Sequence, residues 1–185
     1  TYTITLILFV LYLFPVSVSS QELIQDTAKA NNFLKIADDY YFNNSYDTAV
    51  INYRNAADIY LKYELWEPYL QSVIYTAESF QGLWQLDDAI SELLTAFKNT
   101  EGKIKKNDTI LADAYQLLGF QYYFISYQDS SVHYWEEALD ISIDVFGENH
   151  PKSAYLLNAL GIAYNDLSEY EIALEYYYRA LDAYR

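Results

Sequence analysis

The chain of 185 residues has no cysteine, no methionine and only two histidines. Without cysteine there are no disulfides, no thiolate metal sites and no cysteine nucleophiles. Basic residues are few, 11 against 26 acids, for a formal charge of −15. A chain of that sign repels nucleic acid and anionic membrane surfaces, so neither is an expected partner. Charged residues make up only 20% and apolar residues 52%, which excludes a disordered tail and permits a sizeable core. No glycine-rich phosphate loop, nucleophile elbow or His-Glu-x-x-His pattern occurs. His133 and Glu137 stand one helical turn apart, but two ligands without a third are a surface pair, so no metal and no cofactor are expected. His150 precedes Pro151 and fits a loop or capping role. Acid pairs such as Asp38-Asp39, Asp87-Asp88 and Glu136-Glu137 have no apolar pocket apparent in the sequence to split their pKa values, so no enzyme activity is expected.

Residues 1–20 are uncharged. The apolar run from Ile4 to Phe14 ends at Pro15, and small residues follow. A membrane span needs about 20 residues, so this run reads as the core of a secretory signal peptide. Val18 and Ser20 then take the −3 and −1 positions and the mature chain begins at Gln21. The basic start of such a leader is missing and Thr occupies position 1, so the sequence is expected to be a truncated piece of an exported, bacterial protein.

The rest repeats. Tyr164, Ala173, Tyr177 and Ala180 follow Leu157, Leu160 and Gly161. The same slots, 42 residues earlier, hold Tyr115, Leu118, Gly119, Tyr122, Ser131, Trp135 and Ala138. Another 42 back stand Val73, Thr76, Ala77, Phe80, Ala89, Leu93 and Ala96. Forty before those stand Phe33, Ile36, Ala37, Tyr40, Ala49, Tyr53 and Ala56. Within each stretch apolar residues recur at intervals of three and four, the helical period. Asn43-Asn44-Ser45 reads as a turn, Asn107-Asp108-Thr109 as a helix N-cap, and Pro151 as a first helical residue. Helices are predicted over 22–42, 46–64, 67–83, 86–101, 108–126, 129–146, 151–167 and 170–185, with no strand.

This pattern resembles the tetratricopeptide repeat (TPR) family, in the 42-residue form found in kinesin light chains. The segment Phe146-Gly147-Glu148-Asn149-His150-Pro151 is similar to the connector of that form. Similar arrays precede CHAT (caspase-like) protease domains in exported bacterial proteins. The resemblance implies an all-α fold, a right-handed α-solenoid of antiparallel helix pairs. Its four repeats would lie near 30–63, 70–103, 112–145 and 154–185, within an array spanning 21–185. Thr76 departs from the pattern, where leucine is usual.

The resemblance also places a partner groove on the first helix of each repeat. Carried over by slot, that groove comprises Asn31, Leu34, Asp38, Tyr41 and Phe42; then Gln71, Ile74, Glu78 and Gln81; then Asp113, Gln116, Phe120, Tyr123 and Phe124; and finally Tyr155, Asn158, Ile162, Asn165 and Asp166. Leu34, Ile74, Phe120 and Ile162 could equally pack against the next repeat. The slots hold no Lys or Arg, unlike the groove of TPR proteins that clamp acidic tails. The expected partner is therefore a neutral or basic protein or peptide with apolar anchors. Two roles fit: a protein-interaction scaffold, or the regulatory segment of a larger enzyme such as a CHAT-type protease or a sensor histidine kinase. The last helix keeps Ile172, Leu174, Tyr177 and Leu181 with no polar cap after it, so self-association at that end is expected.

Overall fold

The computed structural model describes residues 19–184. The expected signal peptide lies outside them, apart from Ser19 and Ser20. Eight helices and no strand occur among the described residues: α1 Ser20–Phe42, α2 Tyr46–Lys62, α3 Trp66–Gly82, α4 Leu86–Thr100, α5 Thr109–Phe124, α6 Gln128–Phe146, α7 Pro151–Asp166 and α8 Tyr170–Ala183. Each observed bound lies within two residues of the predicted one. Each helix packs on the next, and α3 also packs on α5, giving an all-α stack of antiparallel pairs.

One turn geometry joins the helices five times. Asn44, Glu64, Trp84, Ser126 and Ser168 all have φ between 54° and 65°. The residue after each, Ser45, Leu65, Gln85, Tyr127 and Glu169, donates its N–H at 2.9 Å to the carbonyl five residues back. The acceptors are Tyr40, Tyr60, Phe80, Tyr122 and Tyr164. This is the left-handed stop that closes a helix by satisfying an orphan carbonyl. Only α4–α5 and α6–α7 are joined differently, with Gly102 (φ 68°) and Gly147 (φ 88°) in the connections.

Three helix starts carry a side-chain cap, and those at Asp108 and His150 were legible in the sequence. The Ser19 side chain accepts from the Glu22 N–H at 3.1 Å, and Asp108 accepts from Ile110 at 3.1 Å. His150 caps α7: its Nδ1 accepts from the Lys152 N–H at 3.2 Å, and its ring stacks on Phe146 at 4.4 Å.

Paired helices meet where a small residue lies under a large one. Gly119 is buried beneath Trp135, whose Nε1 donates to the Gln116 carbonyl at 3.1 Å. A Cβ added at Gly161 would lie 2.6 Å from the Tyr177 ring. In the second repeat Ala77 and Leu93 are both fully buried in one cluster, where a smaller Leu93 side chain goes with alanine. In the first, Ala37, Ala49 and Tyr53 form a cluster, and the Tyr53 ring leans on Tyr75 at 5.3 Å. Thr76, the departure from the pattern, is fully buried, and its hydroxyl donates to the Ser72 carbonyl at 2.9 Å. The unusual polar atom is thus satisfied within its own helix.

Gly119→Ala places a methyl group inside the Trp135 indole. It should cost about 1–3 kcal/mol of stability, the usual range for overpacking. Adding Trp135→Leu, which recreates the Ala77–Leu93 pairing, should return part of that loss. Urea unfolding of the two single variants and the double variant measures the coupling; strict additivity would contradict this packing.

Candidate functional site

The first helices of repeats one to three, α1, α3 and α5, border a cleft of about 580 Å³. Its walls carry Tyr41 from α1, Glu78 and Gln81 from α3, and Gln116, Leu117, Phe120 and Phe124 from α5. Tyr46, at the start of α2, and Trp84, in the α3–α4 turn, form its lip. A second hollow of about 340 Å³ continues it along α3 and α5, lined by Gln71, Ile74, Tyr75 and Asp113. The two share Glu78, Gln116, Leu117 and Phe120.

The aromatic rim forms two groups of touching rings. Tyr41 meets Tyr46 edge-on at 5.4 Å, and Trp84 meets Phe124 at 6.1 Å. Phe120 contacts Phe124, Trp135 and Tyr155 at 6.4, 5.1 and 5.9 Å. Trp84 is 75% exposed and Phe124 45% exposed, so the rim offers free apolar surface next to the cleft.

Six of the twelve predicted site residues line these hollows: Tyr41, Gln71, Glu78, Gln81, Asp113 and Gln116. Tyr155 adjoins them through Phe120. Asn31 and Asp38 are engaged inside the array, accepting hydrogen bonds at 2.7 Å from the hydroxyls of Tyr60 and Tyr53. Tyr123 donates to Asp166 at 2.8 Å and its ring lies 5.6 Å from Trp135, tying repeat three to repeat four. Asn158 and Asn165 are exposed on α7, outside both hollows. Of the four apolar slots that could equally be packing residues, Leu34, Ile74 and Phe120 do pack on core clusters, whereas Ile162 is 38% exposed.

Slot reasoning missed the lip. Tyr46 opens α2 and Trp84 lies in the α3–α4 turn, neither on a first helix, so the slots carried no signal for them. It also missed a cation. Lys152, at the start of α7, reaches Asp113 at 2.7 Å from outside the slots, although neither hollow is itself lined by Lys or Arg. A periodic pattern marks faces of a helix, and Lys152 arrives from the end of a different one.

The acids of the predicted groove slots are unevenly paired. Asp38, Asp113 and Asp166 each have a partner in Tyr53, Lys152 and Tyr123. Glu78 has none among the described residues. Burial, then the nearby Asp113 carboxylate, push its pKa above the ordinary glutamate value. Burial likewise raises the Tyr41 and Tyr75 hydroxyls, with Glu78 adding to both, so these phenols stay neutral hydrogen-bond donors. No group of three His, Asp or Glu residues able to hold a metal occurs among the described residues. No helix among them is long and apolar enough to cross a membrane.

A family model described as tetratricopeptide repeat matches residues 128–185. The fold as a whole is a TPR-like helical solenoid. The apo form of RapI superposes with a TM-score of 0.76 at 16% identity, over 85% of this chain and 56% of that one. A Rap protein complexed with competence and sporulation factor gives 0.70 at 21%, over 90% and 44%. A putative kinesin light chain from Podosopora anserina, with nearly identical TPR-like repeats, gives 0.72 at 18%, over 84% and 74%. The chain therefore spans about half the length of the Rap structures it matches. No curated protein matches it in sequence.

A carboxylate whose pKa is raised by folding favours the folded state only when protonated. Glu78→Gln should therefore raise the thermal midpoint at pH 7. That advantage should shrink as pH falls and vanish below the unfolded glutamate value of about 4.3, where both states of the native chain are protonated. Melting curves of the two proteins between pH 7 and pH 4 check the sign.

Proposed function

We propose that this chain is a protein-interaction scaffold that holds a partner segment in the cleft between α1, α3 and α5. The observation that carries the reading is the cleft itself: about 580 Å³, rimmed by exposed aromatics and floored by amides and the Glu78 carboxylate. Aromatic side chains supply contact area at low entropic cost, and Gln71, Gln81 and Gln116 can satisfy a partner backbone. The acids favour a neutral or basic partner with apolar anchors. The Rap complex lends support, since a neighbour of the same fold binds a partner. The broader role of such an array inside a larger enzyme, a CHAT-type protease or a sensor kinase, adds a catalytic domain without altering what the cleft does. Export rests on residues 4–20, and cleavage before Gln21 would remove the Ser19 cap from α1.

Peptides selected from a random display library against the chain should lose affinity at least ten-fold, about 1.4 kcal/mol, on Tyr41→Ala or Phe120→Ala. Ile24→Ala, an exposed apolar site far along α1, should leave them unchanged. Equal loss in all three, or none, would move the binding surface elsewhere.

We further infer self-association through α8, where Ile172, Leu174, Tyr178 and Leu181 are all exposed. Sedimentation should show a mass that rises with concentration and falls back to monomer on Leu174→Glu. A concentration-independent monomer would refute it.

A further inference from the structure

Glu78 is the exception among the four acids of the predicted groove slots. Asp38 is held by the Tyr53 hydroxyl, Asp113 by the Lys152 ammonium and Asp166 by the Tyr123 hydroxyl. Glu78 sits where the two hollows join, and its carboxylate has no hydrogen bond or ion pair among the described residues. Partly burying a charge without a partner carries a cost. Here folding tolerates that cost at the centre of an open cleft, beside aromatic rings and the amide of Gln116.

The complement of that arrangement is a cation that is planar, weakly hydrated and rich in donors. Guanidinium fits on three counts. It pairs with a carboxylate through two parallel N–H bonds. Its remaining donors can reach an amide oxygen such as that of Gln116. Its face stacks on aromatic rings, as Arg54 already does on Phe80 at 4.9 Å elsewhere in this array. An ammonium lacks the fork and the flat face.

We propose that the cleft recognises an extended partner segment through an arginine whose guanidinium pairs with Glu78, with a neighbouring apolar side chain against Phe120 and the Trp84 lip. The proposal rests on the groove reading above and specifies its central contact. It makes Glu78 a specificity residue: the folded chain carries an unpaired carboxylate, and the partner completes it.

The test uses the full chain and four nonapeptide pools. Each pool has Leu, Phe and Ala randomised around a fixed central arginine, lysine, citrulline or glutamate. Citrulline keeps the shape of arginine and removes its charge. The arginine pool should bind at least ten-fold tighter than the citrulline pool, and tighter than the lysine pool. Glu78→Gln should bring the arginine-to-citrulline ratio close to one. Asp87→Asn, which removes the same charge from an exposed position on α4, should leave the ratio unchanged. Circular dichroism confirms that each variant is folded. Equal binding of arginine and citrulline, equal binding of arginine and lysine, or equal effects of the two charge variants would each overturn the assignment. If Phe120→Ala still abolishes binding in such a case, the groove reading survives and only the arginine contact fails. If Phe120→Ala changes nothing, or no pool binds, the groove reading fails with it.

Discussion

The close approach of each helix pair, a small residue beneath a large one, is the contact on which the rest of the molecule depends. Gly119 lets α5 and α6 come near enough for the Trp135 ring to lie across the α5 backbone and donate to the Gln116 carbonyl. Trp135 then supports Phe120 at 5.1 Å and Tyr123 at 5.6 Å from below. Phe120 is a wall of the cleft, and Tyr123 is the tie to the last repeat. A steric requirement in the core thus fixes the position of a binding surface. Interiors close-packed to this degree transmit a change at one residue to its neighbours.

The turns explain how such contacts recur in register. Because five turns share one left-handed residue and one hydrogen bond, each pair of helices restarts with the same geometry. Between Tyr40, Tyr60 and Phe80 the turn recurs every 20 residues, so α1 to α4 form an even stack. The longer connection before α5 breaks that interval. The core also divides in repeat three, into one cluster reaching Leu118 and another beginning at Val132. Tyrosines span the division. Tyr134 of α6 stacks on Tyr122 at 5.5 Å and on Tyr115 at 6.1 Å, and Tyr115 continues to Phe97 at 4.6 Å. The abundance of tyrosine therefore has a largely structural cause. These rings bury area while their hydroxyls reach partners such as Glu136, which accepts from Tyr164 at 2.9 Å.

The same distinction separates what was legible in the sequence from what was not. Periodicity and turn chemistry report on one helix and its two ends. They therefore located the eight helices, the Asp108 and His150 caps and the small slots at Gly119 and Gly161. Contacts between helices are set by packing, to which a slot pattern is blind. Asn31 and Asp38 carried the right slots yet accept hydrogen bonds from Tyr60 and Tyr53 on the partner helix. Lys152 lay outside every slot yet neutralises Asp113. Trp84 occupies a turn position that a glycine or asparagine would fill more comfortably, and nothing in the helical period marks it as a lip of the cleft.

That residue and Glu78 share a physical logic. A bulky side chain held at φ 58° and a carboxylate without a partner both work against folding. Neither is needed for the helix stack, since Asn44 and Ser168 close equivalent turns with smaller residues and Asp38 occupies the equivalent slot in a hydrogen-bonded state. Both lie on one cleft, and the alternatives that would relieve them already occur in the same chain at equivalent positions. Repeats permit this comparison without any relative: each copy is a reference for the others. Where the unpaired Glu78 departs from its sister position Asp38, the departure argues for a requirement imposed on that surface from outside the fold.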